Sequence, residues 1–188
     1  MKRMLFLILG FMIVPLGMLK ASDDNVPYAF NRGEKLLGVK MALGAVYGSK
    51  IGFVVSGEYG YADMFIRIKG LPNGLGLGGS FGYSSFTEFV FPWGNYSYQN
   101  YLLLGSAFWH IDVFRNRKVD TYFRVNLGLN FDSYSSPGFG APGRDSTYGG
   151  LVFGLSLGGR YYFKRHWAAT AEMGFGMGNL RLGVDYRF

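Results

Sequence analysis

The chain has 188 residues, a formal net charge of +7, thirty glycines, 19% aromatic residues and no cysteine. That length gives one domain with room for a sizeable core, and the lack of cysteine excludes disulfides and lipoprotein processing. Glycine mixed with aromatics in register excludes a disordered low-complexity chain, and interspersed charges with no basic run longer than two after the first residues argue against nucleic acid as a partner.

Met1-Lys2-Arg3 is a short basic start, and Met4 to Leu19 is almost wholly apolar before Lys20. The Leu19-Lys20-Ala21 step offers a small residue at a cleavage position, so residues 1–21 read as a secretory signal peptide exported through the Sec pathway. The stretch falls short of the ~18–20 residues a membrane-spanning helix needs. Cleavage after Ala21 leaves 167 residues with sixteen basic and twelve acidic side chains, a net +4. Residues 22–34 form a polar N-terminal lead, and 35–188 form one domain. No later run of ~18 apolar residues exists, so period-two alternation is the signal that matters.

Leu37, Val39, Met41, Leu43 and Ala45 alternate with Gly38, Lys40, Ala42 and Gly44 as a first strand. After a turn at Tyr47-Gly48-Ser49-Lys50, the second has Ile51, Phe53, Val55, Gly57, Tyr59 and Tyr61 on one face, and Asp63–Lys69 extends it. Gly70–Gly74 punctuates the chain. The third sets Leu75, Leu77, Phe81 and Tyr83 against Gly76, Gly78, Ser80, Gly82 and Ser84, and a long loop, Ser85–Gln99, follows. The fourth, Asn100–Asp112, has both faces partly apolar. Arg115–Lys118 turns into the cleanest strand, with Phe123, Val125, Leu127, Leu129 and Phe131 opposite Tyr122, Arg124, Asn126, Gly128, Asn130 and Asp132. A second long loop, Ser133–Thr147, precedes Leu151–Phe163. Lys164-Arg165-His166 leads to Trp167–Gly176, and Met177-Gly178-Asn179 to Arg181–Phe188.

Eight alternating strands predict an all-β fold: a closed antiparallel eight-stranded transmembrane β-barrel preceded by a cleavable signal peptide. A soluble β-sandwich or lipocalin-like barrel would also alternate. It would put the apolar set inside, and here the opposite set is rich in Gly and Ser, which suits a crowded interior. Aromatics gather at strand ends, with Trp109, Tyr161, Phe163, Trp167, Tyr186 and Phe188 at one and Tyr47, Tyr83, Tyr101, Phe131 and Phe175 at the other. Two such girdles are the mark of interfacial anchoring.

The terminal pattern Arg181, Gly183, Tyr186, Phe188 resembles the assembly signal of bacterial outer-membrane β-barrels. With aromatic-ended strands such as Gly159-Arg160-Tyr161-Tyr162-Phe163, the whole mature chain resembles the small OmpX/OmpA-type and opacity-type eight-stranded family. The resemblance implies insertion into the Gram-negative outer membrane by the barrel-assembly machinery, in contact with outer-membrane lipid including lipopolysaccharide. With Phe188 on the periplasmic side, both long loops fall outside the cell.

The inward charges Lys40, Glu58, Arg124, Arg160, Glu172, Arg181, Asp185 and Arg187 share a lumen that eight strands leave only wide enough for side chains. Glu58, Arg124, Arg160 and Asp185 count toward the periplasmic half, and Lys40, Glu172 and Arg181 lie higher. A polar plug of ion pairs is expected, with a gated ion path as its alternative. No catalytic constellation is expected: a lipid-modifying barrel enzyme would need a Ser/His pair on the lipid face, and His110 has Asp112, not Ser, two residues on. His110 and His166 read as ordinary interfacial histidines without metal-ligand spacing, and no cofactor is implied. The loop Ser85–Gln99 carries Phe86, Phe89, Phe91, Trp93, Tyr96 and Tyr98, either a contact surface for an unidentified ligand or partner or the packing of strands that run on beyond the membrane.

The functional expectation is a monomeric, porin-like cell-surface barrel with a plugged polar interior and a structural or surface-interaction role. A small-solute or ion channel is the alternative, and a lipid-modifying enzyme the third reading.

Overall fold

The computed structural model describes residues 30–44, 51–63, 73–90, 94–135 and 145–188. Eight strands follow one another: β1 (Lys35–Leu43), β2 (Ile51–Ala62), β3 (Asn73–Val90), β4 (Gly94–Ile111), β5 (Val119–Ser135), β6 (Asp145–Tyr162), β7 (Trp167–Gly174) and β8 (Leu180–Arg187). Each pairs antiparallel with the next, and β8 returns to β1 in register from Leu36↔Arg187 to Leu43↔Leu180. The sheet therefore closes on itself. The expected signal peptide, the turn at Tyr47 and most of the N-terminal lead fall outside the described residues.

The faces are those the alternation dictates. Leu37, Val39, Phe53, Leu77, Phe81, Leu103, Leu127, Phe153, Leu157 and Val184 all stand exposed on the outside, while Lys40, Glu58, Arg124, Asn126, Arg160, Glu172, Arg181 and Asp185 are buried inside. Among the described residues between Lys35 and the far ends of the strands, the outward face of the wall carries no Asp, Glu, Lys or Arg. A side chain's period of two cannot drift within a strand, so one register sets both faces at once.

Small interior residues are a packing requirement. A Cβ added to Gly183 on β8 would lie 2.2 Å from the Val39 carbonyl oxygen of β1. One added to Gly158 would lie 2.4 Å from the Tyr122 ring.

The strands differ in length more than the alternation suggested. β3 and β4 pair without a break from Asn73↔Ile111 to Val90↔Gly94, so the expected loop Ser85–Gln99 is mostly hairpin, with only residues 91–93 between the strands. β5 likewise runs to Ser135 and β6 starts at Asp145, shortening the expected loop Ser133–Thr147 from both sides. In the other direction, β1 ends at Leu43 and β7 at Gly174, each earlier than the alternation implied, and β2 ends at Ala62, with residues 64–69 of its expected extension outside the described residues. Polar residues at loop composition (Ser85, Thr87, Asn95, Ser97) fit a strand wherever both ladder partners are present, which composition alone does not reveal.

β6 continues for eleven residues beyond its last pair with β7, Ser156↔Gly174. At ~3.3 Å per residue that is about 35 Å of strand. The outer parts of β3, β4, β5 and β6 thus form a four-stranded blade above the low rim of β7, β8 and β1.

The binary pattern inverts on this blade. The concave face carries Phe86, Glu88, Tyr96, Tyr98, Tyr134 and Tyr148, while Ser85, Thr87, Ser97, Gln99 and Ser133 lie on the convex face with exposed Phe89. Phe86 stacks on Tyr98 at 4.5 Å between ring centroids and 7° between planes, and Tyr98 meets Tyr134 at 5.2 Å.

Candidate functional site

The candidate site is the interior polar network, to which all eight strands contribute at fixed parity. Its centre is Glu172 on β7. Lys40 Nζ on β1 donates to its Oε1 at 2.7 Å, and the Tyr122 hydroxyl on β5 donates to the same oxygen at 2.7 Å. Arg181 Nε on β8 donates to Oε2 at 2.7 Å, with Arg124 Nη1 at 3.3 Å. Arg124 also donates to Asn126 Oδ1 at 2.7 Å and to the hydroxyls of Ser80 and Ser106, and its guanidinium lies 4.7 Å from the Phe108 ring centroid.

A second cluster lies nearer the C-terminal rim, around Arg160 on β6. Its Nε donates to Asp185 Oδ2 at 2.6 Å, Nη1 to Asp120 Oδ2 at 2.9 Å, and Nη2 to Glu58 Oε2. The planar fork thus holds three carboxylates at once, a geometry lysine cannot match. Thr170 adds a hydroxyl donation to Asp185 at 2.8 Å, and the Tyr122 ring sits 4.3 Å beneath the guanidinium. His110 is clamped from both sides, Nδ1 against Asp120 at 2.8 Å and Nε2 against Glu58 at 2.5 Å. An acceptor at each nitrogen is satisfied only when both carry protons. Lys40 Nζ, 3.7 Å from Asp185 Oδ1, links the two clusters.

Beyond the Glu172 cluster, toward the blade, comes an apolar layer of Ala42, Val54, Leu102, Leu104, Val152 and Met177. Asn100 and Asn130, both bonded to Asp132, cover it from the blade side. At the opposite end Phe30, from the lead, is buried with its ring 4.4 Å from that of His110.

The sequence-derived residues distribute as follows. Glu58, Arg160 and Asp185 share the cluster near the C-terminal rim, and Lys40, Glu172 and Arg181 the other. Arg124 departs from its expected place, because its long side chain reaches Glu172 rather than the carboxylates near the rim. Arg187 sits at the mouth of the lumen, its guanidinium 4.4 Å from the ring centroid of buried Tyr162, where it donates to the Arg165 carbonyl at 2.7 Å and lies 3.7 Å from Glu34. His110 is not interfacial but 4% exposed between two carboxylates from other strands. Asp120 is a member the sequence reading did not name, and Tyr122 was placed on the inward face but not in the network; inward parity on β5 is the signal for both. The carboxylates meet opposite nitrogens of His110 and so hold the ring instead of converging on a point where a metal would sit.

Of the aromatic candidates, Tyr96 and Tyr98 face the concave side, Phe89 the convex side, and Phe91 and Trp93 lie outside the described residues. In the terminal pattern, Arg181 and Gly183 point inward, whereas Tyr186 packs edge-on against Trp167 and Phe188, each at 5.0 Å, with Phe188 exposed.

No protein-family model matches the chain, and no curated protein sequence matches it. Among solved structures it is similar to Ail, the attachment invasion locus protein of Yersinia pestis, in complex with the heparin analogue sucrose octasulfate. The identity is 17%, covering 84% of this chain and 99% of that chain, with a TM-score of 0.51. Neisserial surface protein A aligns at 19% identity over 82% of this chain and 92% of that one, TM-score 0.45. The N-terminal β-barrel domain of Pseudomonas aeruginosa OprF aligns at 15% over 84% and 98%, TM-score 0.46. At this identity the likeness to Ail concerns architecture, and what the chain shares with it is the closed eight-stranded antiparallel barrel.

Proposed function

We propose that the chain is an outer-membrane β-barrel whose interior is a plug and whose role is structural or interactional at the cell surface. One observation carries the reading: the wall is inside-out, with charges buried in the lumen and an uncharged apolar band on the outside. In water such a band would be a large exposed patch that drives aggregation; in a bilayer it is the lipid-facing surface of a barrel. The fold likeness to Ail, itself an outer membrane protein, supports the same location.

Closure of the lumen is supported by the stacking of two paired charge clusters beneath an apolar layer, which leaves ions no favourable path. The surface role rests on the blade, which lifts aromatic rings away from the membrane. Ail holds a sulfated ligand in its solved complex; the charged side chains described on this blade, Glu88 and Asp132, are acidic and do not suit such a ligand. The terminal strand, through outward Tyr186 and Phe188, serves as the signal to the assembly machinery.

Single-channel recording of the refolded protein in a planar bilayer tests the plug. Silence from a demonstrably folded barrel is expected. Discrete, reproducible openings would replace the plug with a channel and make Lys40, Arg124 and Arg160 its selectivity residues. Removing Thr87–Tyr98 while keeping the barrel tests the blade: surface adhesion that survives intact would assign the contact elsewhere.

A further inference from the structure

Among the described residues, two turns at the end of the barrel that carries the C-terminus are basic. The β4–β5 turn holds Arg117 and Lys118, and the β6–β7 turn holds Lys164 and Arg165, all four exposed. The two turns are neighbours, because the Tyr162 amide donates to the Lys118 carbonyl at 2.8 Å and Val119 pairs with Tyr161. Among the described residues none of these four cations makes an ion pair. The acidic groups nearby are engaged elsewhere: Asp112 accepts from the Asn116 amide, and Glu34 lies against Arg187. In sequence, the β2–β3 connection adds Arg67 and Lys69, whereas the four connections at the blade end contain only Lys50 and Arg144.

Apolar side chains stand beside these cations. Val113, Tyr161, Phe163 and Trp167 are all exposed at the same rim. Unpaired positive charge a residue or two from outward apolar groups matches a molecule with an anionic head and acyl tails. We infer that this rim is a binding site for anionic phospholipid of the leaflet bordering the C-terminal end, its phosphate held by Arg117, Lys118, Lys164 and Arg165. The inference rests on the membrane reading above and goes beyond it, since an apolar band alone does not distinguish one headgroup from another.

The test reconstitutes the full chain in vesicles of mixed phosphatidylethanolamine and phosphatidylglycerol, extracts it in mild detergent and weighs the retained lipid by native mass spectrometry. Wild type is expected to retain phosphatidylglycerol preferentially. R117Q/K118Q/K164Q/R165Q should lose that preference, at about fivefold per charge removed, and K164Q/R165Q alone should lose part of it should the fourfold variant not fold. Equal retention of both lipids by inserted wild type, or a preference that survives the substitutions, overturns the inference. Rim-dependent binding to isolated peptidoglycan without a lipid preference overturns it too, and gives the rim to the cell wall. A wild type that does not insert into these vesicles refutes the membrane reading itself.

Discussion

Replacing Glu172 by Gln removes one negative charge from the place where three cations meet. Lys40, Arg124 and Arg181 all contact its carboxylate, and both Lys40 and Glu172 have fully buried side chains. The amide keeps one acceptor oxygen but turns an NH2 toward groups that only donate. The nearest remaining anion, Asp185, is 3.7 Å from Lys40 and already engaged by Arg160. Removing one partner of a buried ion pair costs about 3–5 kcal/mol. With a urea m-value of about 2 kcal/mol/M, the unfolding midpoint falls by roughly 1.5–2.5 M. The assay is urea unfolding of the lipid- or detergent-embedded barrel, followed by the fluorescence of outward Trp109 and Trp167 and by the gel shift between folded and unfolded forms. K40M/E172Q removes a cation with the anion, and a coupling energy of about 1–3 kcal/mol should bring back part of the loss. A Glu172→Gln midpoint within about 0.3 M of wild type would refute the network as a source of stability.

Three further outcomes are expected. Gly183→Ala forces β8 away from the β1 backbone at the seam, so it should slow refolding in vitro, where no assembly machinery is present; unchanged refolding rates would show that the seam yields. Phe188→Ser changes an exposed ring and should leave the unfolding free energy within about 0.5 kcal/mol of wild type while lowering the amount assembled in cells; equal assembly would remove Phe188 from the signal. Tyr98→Ala takes the centre out of the Phe86–Tyr98–Tyr134 stack at about 0.5–1.5 kcal/mol per aromatic pair. Limited proteolysis should then cut the blade faster with the barrel intact, and an unchanged cleavage rate would mean the stack does not hold the blade.

The wall was legible in the sequence because its information is local. Leu37-Val39-Met41 or Phe123-Val125-Leu127 fixes a face without reference to any other strand, and inward parity placed Lys40, Arg124 and Glu172 in the lumen. Two things were not legible. Ser85–Gln99 read as a loop, with strands running on beyond the membrane as the alternative, because Pro92-Trp93-Gly94-Asn95 interrupts it and its aromatics change face; the ladder between β3 and β4 supplies the order, with Phe86 on Tyr98 as its anchor. The partners inside the lumen depend on the stagger between strands and on side-chain reach. Arg124 counts to one cluster by backbone position and joins the other by the length of its side chain. His110 finds Glu58 fifty-two residues away, a spacing no local motif encodes.

The distribution of charge also bears on how the barrel closes. The cluster around Glu172 holds three cations and one anion, and that around Arg160 holds three carboxylates with one arginine and His110. Neither is balanced alone. Lys40 on β1, between Glu172 on β7 and Asp185 on β8, joins them, and that junction exists only once the first strand has met the last. A sheet of seven strands, or one left open at the β1–β8 seam, would carry uncompensated charge into a low-dielectric interior. The penalty is larger in every incomplete form than in the closed one, where each carboxylate meets a cation. The network therefore favours the closed ring over any sheet left open at the β1–β8 seam, a preference that a purely apolar lumen of the same volume would not add.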